Sequence, residues 1–138
     1  MNQDEASVDA SKERFIHRIV SGETVFHLTN DDGVANSVSN DAEETVILMF
    51  WSDEPYARRV QKNGFEDYEV ACITLFDFLY SWLPGMADDE VLAGVNWDHE
   101  LIGAECDSHD LRDEIVESMS ADVLAEYESK FQLLTSEE

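Results

Sequence analysis

At 138 residues the chain has the length of a single domain, and 43% hydrophobic with 10% aromatic residues is enough for a core despite a formal charge of -24. The 32 Asp and Glu against 8 Lys and Arg leave no basic footprint for a phosphate backbone, which argues against direct nucleic-acid binding and against docking on anionic membranes. Met1 to Ser7 lacks the basic and apolar regions of a secretion signal, the longest apolar run is only Val46 to Trp51, and Cys72 and Cys106 are too few for a disulfide scaffold, so a cytoplasmic protein with no membrane span is expected.

Residues 1–8 are polar and acidic and are expected to be disordered. From Asp9 the pattern is helical, with Phe15, Ile16, Ile19 and Val20 on one face and Gly22 as the stop. Val25 to Thr29 alternates, Asn30 to Gly33 carries hairpin-turn chemistry, and Val34 to Val38 is the expected returning strand. The turn lacks the alternating oxygen ligands of a calcium loop. Thr45 to Trp51 is a continuous apolar run and is expected to be the central strand. Ser52, Asp53, Glu54 and Pro55 supply a cap, two acids and a first-turn proline, which predicts a helix from Asp53 to about Gln61, ended by Asn63 and Gly64.

Tyr68 to Ile73 alternates as another strand and leads to Thr74 and Asp77, which resemble a capping box. The helix that follows is expected to span Leu75 to Leu83 and to stop at Pro84 and Gly85. Val91 to Trp97 and Leu101 to Cys106 predict two strands joined as a hairpin through Asp98, His99 and Glu100. Beyond Leu111, apolar residues Ile115, Met119, Val123, Tyr127 and Phe131 mark a long acidic C-terminal helix, with Ser118 and Ser120 as a point of division. The folded domain is expected over 9–134, with 135–138 as a disordered tail. Two hairpins with short polar connections favour antiparallel pairing. The expected fold class is therefore α+β: one domain with a mostly antiparallel or mixed sheet of about five to six strands and helices packed mainly on one face.

With this many acids, neighbouring carboxylates arise without selection for catalysis, and the chain has no Gly-x-Ser-x-Gly, no Cys-Gly signature and no glycine-rich phosphate loop. No catalytic residue and no cofactor is assigned. Thiol chemistry would require His17 or His27 beside Cys72 or Cys106, which spacing alone does not establish. Cys106 and His109, with His99 across the preceding hairpin, form the best partial metal set; a structural zinc site needs four ligands, so no metal is assigned.

Two candidate sites remain. A pocket can be drawn from Trp51, Asp53, Glu54, Tyr56, Tyr80 and Trp82, although tryptophans at the ends of elements more commonly pack against a core edge. An acidic face is formed by Asp110, Asp113, Glu114 and Glu117, whose helical neighbour spacing suits a basic protein partner or imitation of a nucleic-acid backbone.

Trp51 with Tyr56-Ala57, Gly64, the helix start at Ile73 to Phe78, Trp82-Leu-Pro-Gly-Met and the strand from Val91 to Val95 together resemble the bacterial family called domain of unknown function 2750. The resemblance covers about Phe15 to Cys106. It implies a small intracellular α+β domain, usually the whole protein, with no established activity and no catalytic residues to carry over. The charge and the missing catalytic constellation point first to a non-enzymatic interaction or regulatory module that meets a basic protein. The alternatives are a small-molecule-binding protein or enzyme using the Trp51, Tyr56 and Trp82 region, and a nucleic-acid mimic using the acidic helix. Any self-association has to overcome like-charge repulsion and should strengthen with salt.

Overall fold

The structure is a computed structural model that describes residues 5–31, 33–38, 45–98 and 103–136, without side-chain detail at 5–9, 37–38 and 135–136. Helix α1 (Glu5–Gly22) buries Phe15, Ile16 and Ile19, the apolar stripe read from the sequence. It starts at Glu5, and the last helix runs to Ser136. The disorder expected for residues 1–4 and 137–138 lies outside the described residues.

Among the described residues seven short strands follow: β1 (Thr24–Asn30), β2 (Gly33–Val34), β3 (Asn36–Val38), β4 (Val46–Phe50), β5 (Glu69–Thr74), β6 (Leu92–Val95) and β7 (Ala104–Cys106). They form two sheets, β2-β1-β5 and β3-β4-β6-β7, instead of the one sheet expected. The division falls at Ala35. Gly33 and Val34 pair with β1, Ala35 is fully buried, and Asn36 to Val38 pair with β4, so the single returning strand expected from Val34 to Val38 is shared between the sheets. The sheets meet at one antiparallel bridge, where Phe26 N donates to Trp51 O at 2.9 Å and Trp51 N to Phe26 O at 2.8 Å.

Strand β4 is interior, as its unbroken apolar run implies. Its Ile47 and Met49, with Trp51, face α2 (Glu54–Gln61) and pack with Ala57 and Val60. Leu48 and Phe50 face the opposite side, against α1 and the remaining helices. This two-residue alternation places most helices on one face and α2 alone on the other. Both hairpins expected from the sequence form antiparallel pairs, β1–β2 and β6–β7. The pair β4–β6 is parallel, with Phe50 opposite Val95. A long crossover through α2, β5 and the next helix makes that pairing possible.

The helix after β5 comprises α3 (Leu75–Asp77), a π-helical turn (Phe78–Trp82) and α4 (Leu83–Asp88) in direct succession. Thr74 Oγ1 accepts from Asp77 N at 3.0 Å, as the capping pattern predicts. The helix end expected at Pro84 and Gly85 is displaced to Asp88. In the wider π turn Leu83 N donates to Phe78 O, five residues back, and the helix runs on through Pro84 directly after it. The C-terminal helix is divided, as its serines predict, into α5 (Ser108–Ser118) and α6 (Ala121–Ser136). Met119 between them is extended in backbone and buried in side chain, and Ser120 Oγ accepts from Val123 N at 3.3 Å to start α6. Among the described residues no helix is long and apolar enough to cross a membrane.

Candidate functional site

The tryptophans are mainly structural. Trp51, at the carboxyl end of β4, is fully buried and donates its indole N–H to Trp97 O at 2.8 Å; Trp97 donates in turn to Ala104 O at 2.8 Å. These two bonds tie the bridge between the sheets to the β6–β7 hairpin. Both indole donors are satisfied, as burial of this ring demands. Trp97 lies flat against Gly94, at a spacing that only a glycine permits.

The six residues of the expected pocket do not line a common cavity. Asp53 carboxylate binds Arg18 at 2.5 Å and accepts from Ser52 Oγ at 2.6 Å, while Glu54 binds Arg58 one helical turn on at 2.5 Å. Tyr80 stacks on Phe131 with ring centroids 4.9 Å apart and lies below the Arg112 guanidinium at 5.2 Å. Trp82 packs on His27 at 5.1 Å and on Phe50 at 5.8 Å. Tyr56 opens instead into a groove of about 290 Å³ shared with Arg14, Arg59 and Asn96. Sequence proximity grouped residues that the alternating faces of the sheet send to different sides.

The acidic residues of α5 lie along one side of that helix, but they are not equivalent. Asp110 and Asp113 are exposed in its first two turns, and Asp113 lies 3.5 Å from His109. Glu114 and Glu117 instead reach a larger groove, about 640 Å³, between α1, the end of α5 and the start of α6. Glu114 is paired with Lys12 at 2.7 Å. Glu13 and Glu23 enter the same groove from the α1 side, and Glu23 accepts a hydrogen bond from the Tyr127 hydroxyl. The apolar part of its wall is Ile16, Val20, Leu75, Met119 and Val123. Three carboxylates without a cationic partner among the described residues, Glu13, Glu23 and Glu117, therefore ring an apolar floor. Sequence reading found Glu114 and Glu117 but missed Glu13 and Glu23. The signal was Glu13 and His17 flanking Ile16 and Val20, at the edge of the apolar stripe of α1.

Titratable groups are shifted by burial more than by partners. Desolvation lowers the His27 imidazole below its ordinary value, only partly offset by a hydrogen bond with the Leu28 backbone, and its Nδ1 is buried without a partner. Burial pushes the Cys106 thiol up to about 11, which makes it inert as a nucleophile at neutral pH. Burial, then the hydrogen bond to Glu23, raises the Tyr127 hydroxyl. Cys106 belongs to the core while His109 is exposed, so these two members of the partial metal set diverge; His99 lies outside the described residues. His109 has ligand atoms within 4.8 Å of those of Asp110 and Asp113 instead, all three exposed at the start of α5. His17 lies in the acidic groove and His27 against Trp82, so each is accounted for by other neighbours than a thiol.

The arrangement is that of a small α+β domain with open grooves along its helical layer and its parallel strand ends. The chain belongs to the family described as protein of unknown function DUF2750, whose model matches residues 12–115. That span takes in α1 from Lys12 onward, the seven described strands and most of α5, and leaves out α6. No curated protein and no solved structure matches the chain.

Proposed function

We propose that the protein is a non-enzymatic docking module that captures a cationic, amphipathic segment of a partner protein in the groove between α1 and the α5–α6 junction. The observation that carries this reading is the ring of Glu13, Glu23 and Glu117 around an apolar floor of Ile16, Val20 and Met119. Such a surface combines burial of an apolar anchor with charge complementarity, and the overall charge of -24 adds long-range attraction that accelerates encounter. A chain of basic and apolar residues at helical spacing fits it as a helix in a groove.

The test uses a fluorescent amphipathic lysine–leucine peptide and fluorescence anisotropy. Neutralising Glu13 and Glu117 together (Glu13→Gln, Glu117→Gln) removes two exposed charges, each contributing up to about 1 kcal/mol, so binding should weaken roughly tenfold. Affinity should also fall as salt is raised. Binding unchanged both by the double variant and by high salt would exclude this groove as the docking site.

A further inference from the structure

The cations of the chain are distributed unevenly in a way that its acidity makes informative. Among the described residues Lys12, Arg18 and Arg58 are ion-paired, Arg112 donates to Leu79 O and covers the Tyr80 ring, and Lys130 covers the Phe76 ring. Arg14, Arg59 and Lys62 have no acid partner among those residues. In a protein with 32 acids an exposed guanidinium outside any ion pair among the described residues is unexpected, and two of these three cations line one groove together with Asp98.

That groove sits where the topology favours a ligand. Strands β4 and β6 are the only parallel pair described, and both point their carboxyl ends the same way, with Phe50 opposite Val95. Helix α2, which follows β4, supplies Tyr56 and Arg59; the residues just after β6 supply Asn96, Trp97 and Asp98; α1 adds Ser11 and Arg14 one turn apart. Crevices outside the carboxyl ends of parallel strands are the usual ligand sites of open sheets, because the chain connections diverge there. The walls are held in place. Asn96 adopts a left-handed conformation (φ 51°), accepts from Ser52 N at 2.9 Å and donates to Ser52 Oγ at 3.1 Å. Ser52 donates to Asp53, which is paired with Arg18, so α1, the start of α2 and the end of β6 are linked in one chain of bonds.

We propose that this groove binds a small hydroxylated phosphomonoester, with the phosphoryl oxygens held by Arg14 and Arg59 and a ligand hydroxyl donating to Asp98. Two planar guanidinium groups suit the oxygens of a phosphate, which each can engage through two parallel hydrogen bonds. The hydroxyls of Ser11 and Tyr56 provide further donors, and the volume of about 290 Å³ admits a small metabolite and not a nucleic-acid strand. Asp98 repels a bare anion and rewards a ligand that brings a hydroxyl donor. The site is separate from the acidic groove of α1, α5 and α6, and neither proposal depends on the other.

The experiment titrates inorganic phosphate, glycerol 3-phosphate and glycerol into the full chain and follows the amide signals of Asn96 and Trp97. Salt near 0.1 M screens the distant carboxylates while leaving contact pairs in force. Glycerol 3-phosphate should bind more tightly than phosphate, and glycerol should not bind. Arg14→Gln and Arg59→Gln should each weaken binding about tenfold to a hundredfold. Arg58→Gln, on the same helix but paired with Glu54, should leave it unchanged. Asp98→Asn should abolish the preference for the ester over phosphate. Arg14→Lys, which keeps the charge, should give an intermediate loss and covers the case in which the glutamine variant does not fold. No binding of either phosphate at tens of millimolar, or equal weakening by Arg58→Gln and Arg59→Gln, would overturn the proposal.

Discussion

Replacing Gly94 with alanine tests how closely the Trp97 ring is packed on the β6–β7 hairpin. A Cβ at this position would stand 2.6 Å from Trp97 Cε2, 2.8 Å from Nε1 and 2.9 Å from Cζ2, closer than packed carbon atoms approach. The backbone of Gly94 is ordinary strand, so the cost is steric and not conformational. The neighbour that must move is a ring that is 4% exposed and cannot swing into solvent without losing its bond to Ala104 O. Overpacking of this kind costs about 1–3 kcal/mol, and loss of a buried hydrogen bond adds about 1 kcal/mol. A net destabilisation of about 3 kcal/mol should lower Tm by about 10 °C in a domain of this size. The assay is thermal and urea unfolding of Gly94→Ala in the natural chain and in a Trp97→Leu background, where the indole is absent. The substitution should cost far less in the second background, giving a coupling of about 2 kcal/mol. An equal cost in both backgrounds, or one below about 0.5 kcal/mol in the natural chain, would refute the close-packing argument.

Two other perturbations probe the buried histidine and the last helix. Because desolvation lowers the folded-state pKa of His27, the unfolded chain binds the proton more readily between that lowered value and about 6.5. Stability should therefore fall as pH drops below about 6.5, and the slope should be shallower in His27→Leu; parallel urea midpoints for the two proteins across this range would remove His27 as the cause. Tyr127→Phe removes the hydroxyl that binds Glu23, a bond to a charged acceptor at a partly exposed site, and should loosen α6 by about 1 kcal/mol. Amide exchange should then rise in 121–136 while β4 stays protected, and unchanged exchange in α6 would show that this bond does not hold the helix.

Much of this molecule is legible without its tertiary structure. The stripe of α1, the acid and proline in the first turn of α2, the Thr74 cap, the antiparallel hairpins and the division at Ser118 to Ser120 all depend on residues a few positions apart. Local hydrogen bonds and hydrophobic period fix such features wherever the chain goes. The π turn was not legible, because a proline inside a helix reads as a stop unless the preceding turn can widen. Nor was the division of Val34 to Val38 between two sheets, since a short strand carries no mark of which partner it will meet. The acidic face was half legible: Glu114 and Glu117 were visible as helical neighbours, whereas Glu13 and Glu23 join them only because α1 packs against α5.

The sequence by itself thus determined the elements, the family and the acidic character of the surface. Tertiary structure decided which residues meet. The parallel pairing of β4 with β6, the burial of Trp51 under α2 and the placing of Arg14 and Arg59 along one groove join positions far apart in the chain. Those contacts are selected by the combined burial of two apolar faces, a long-range term that no local window of sequence contains.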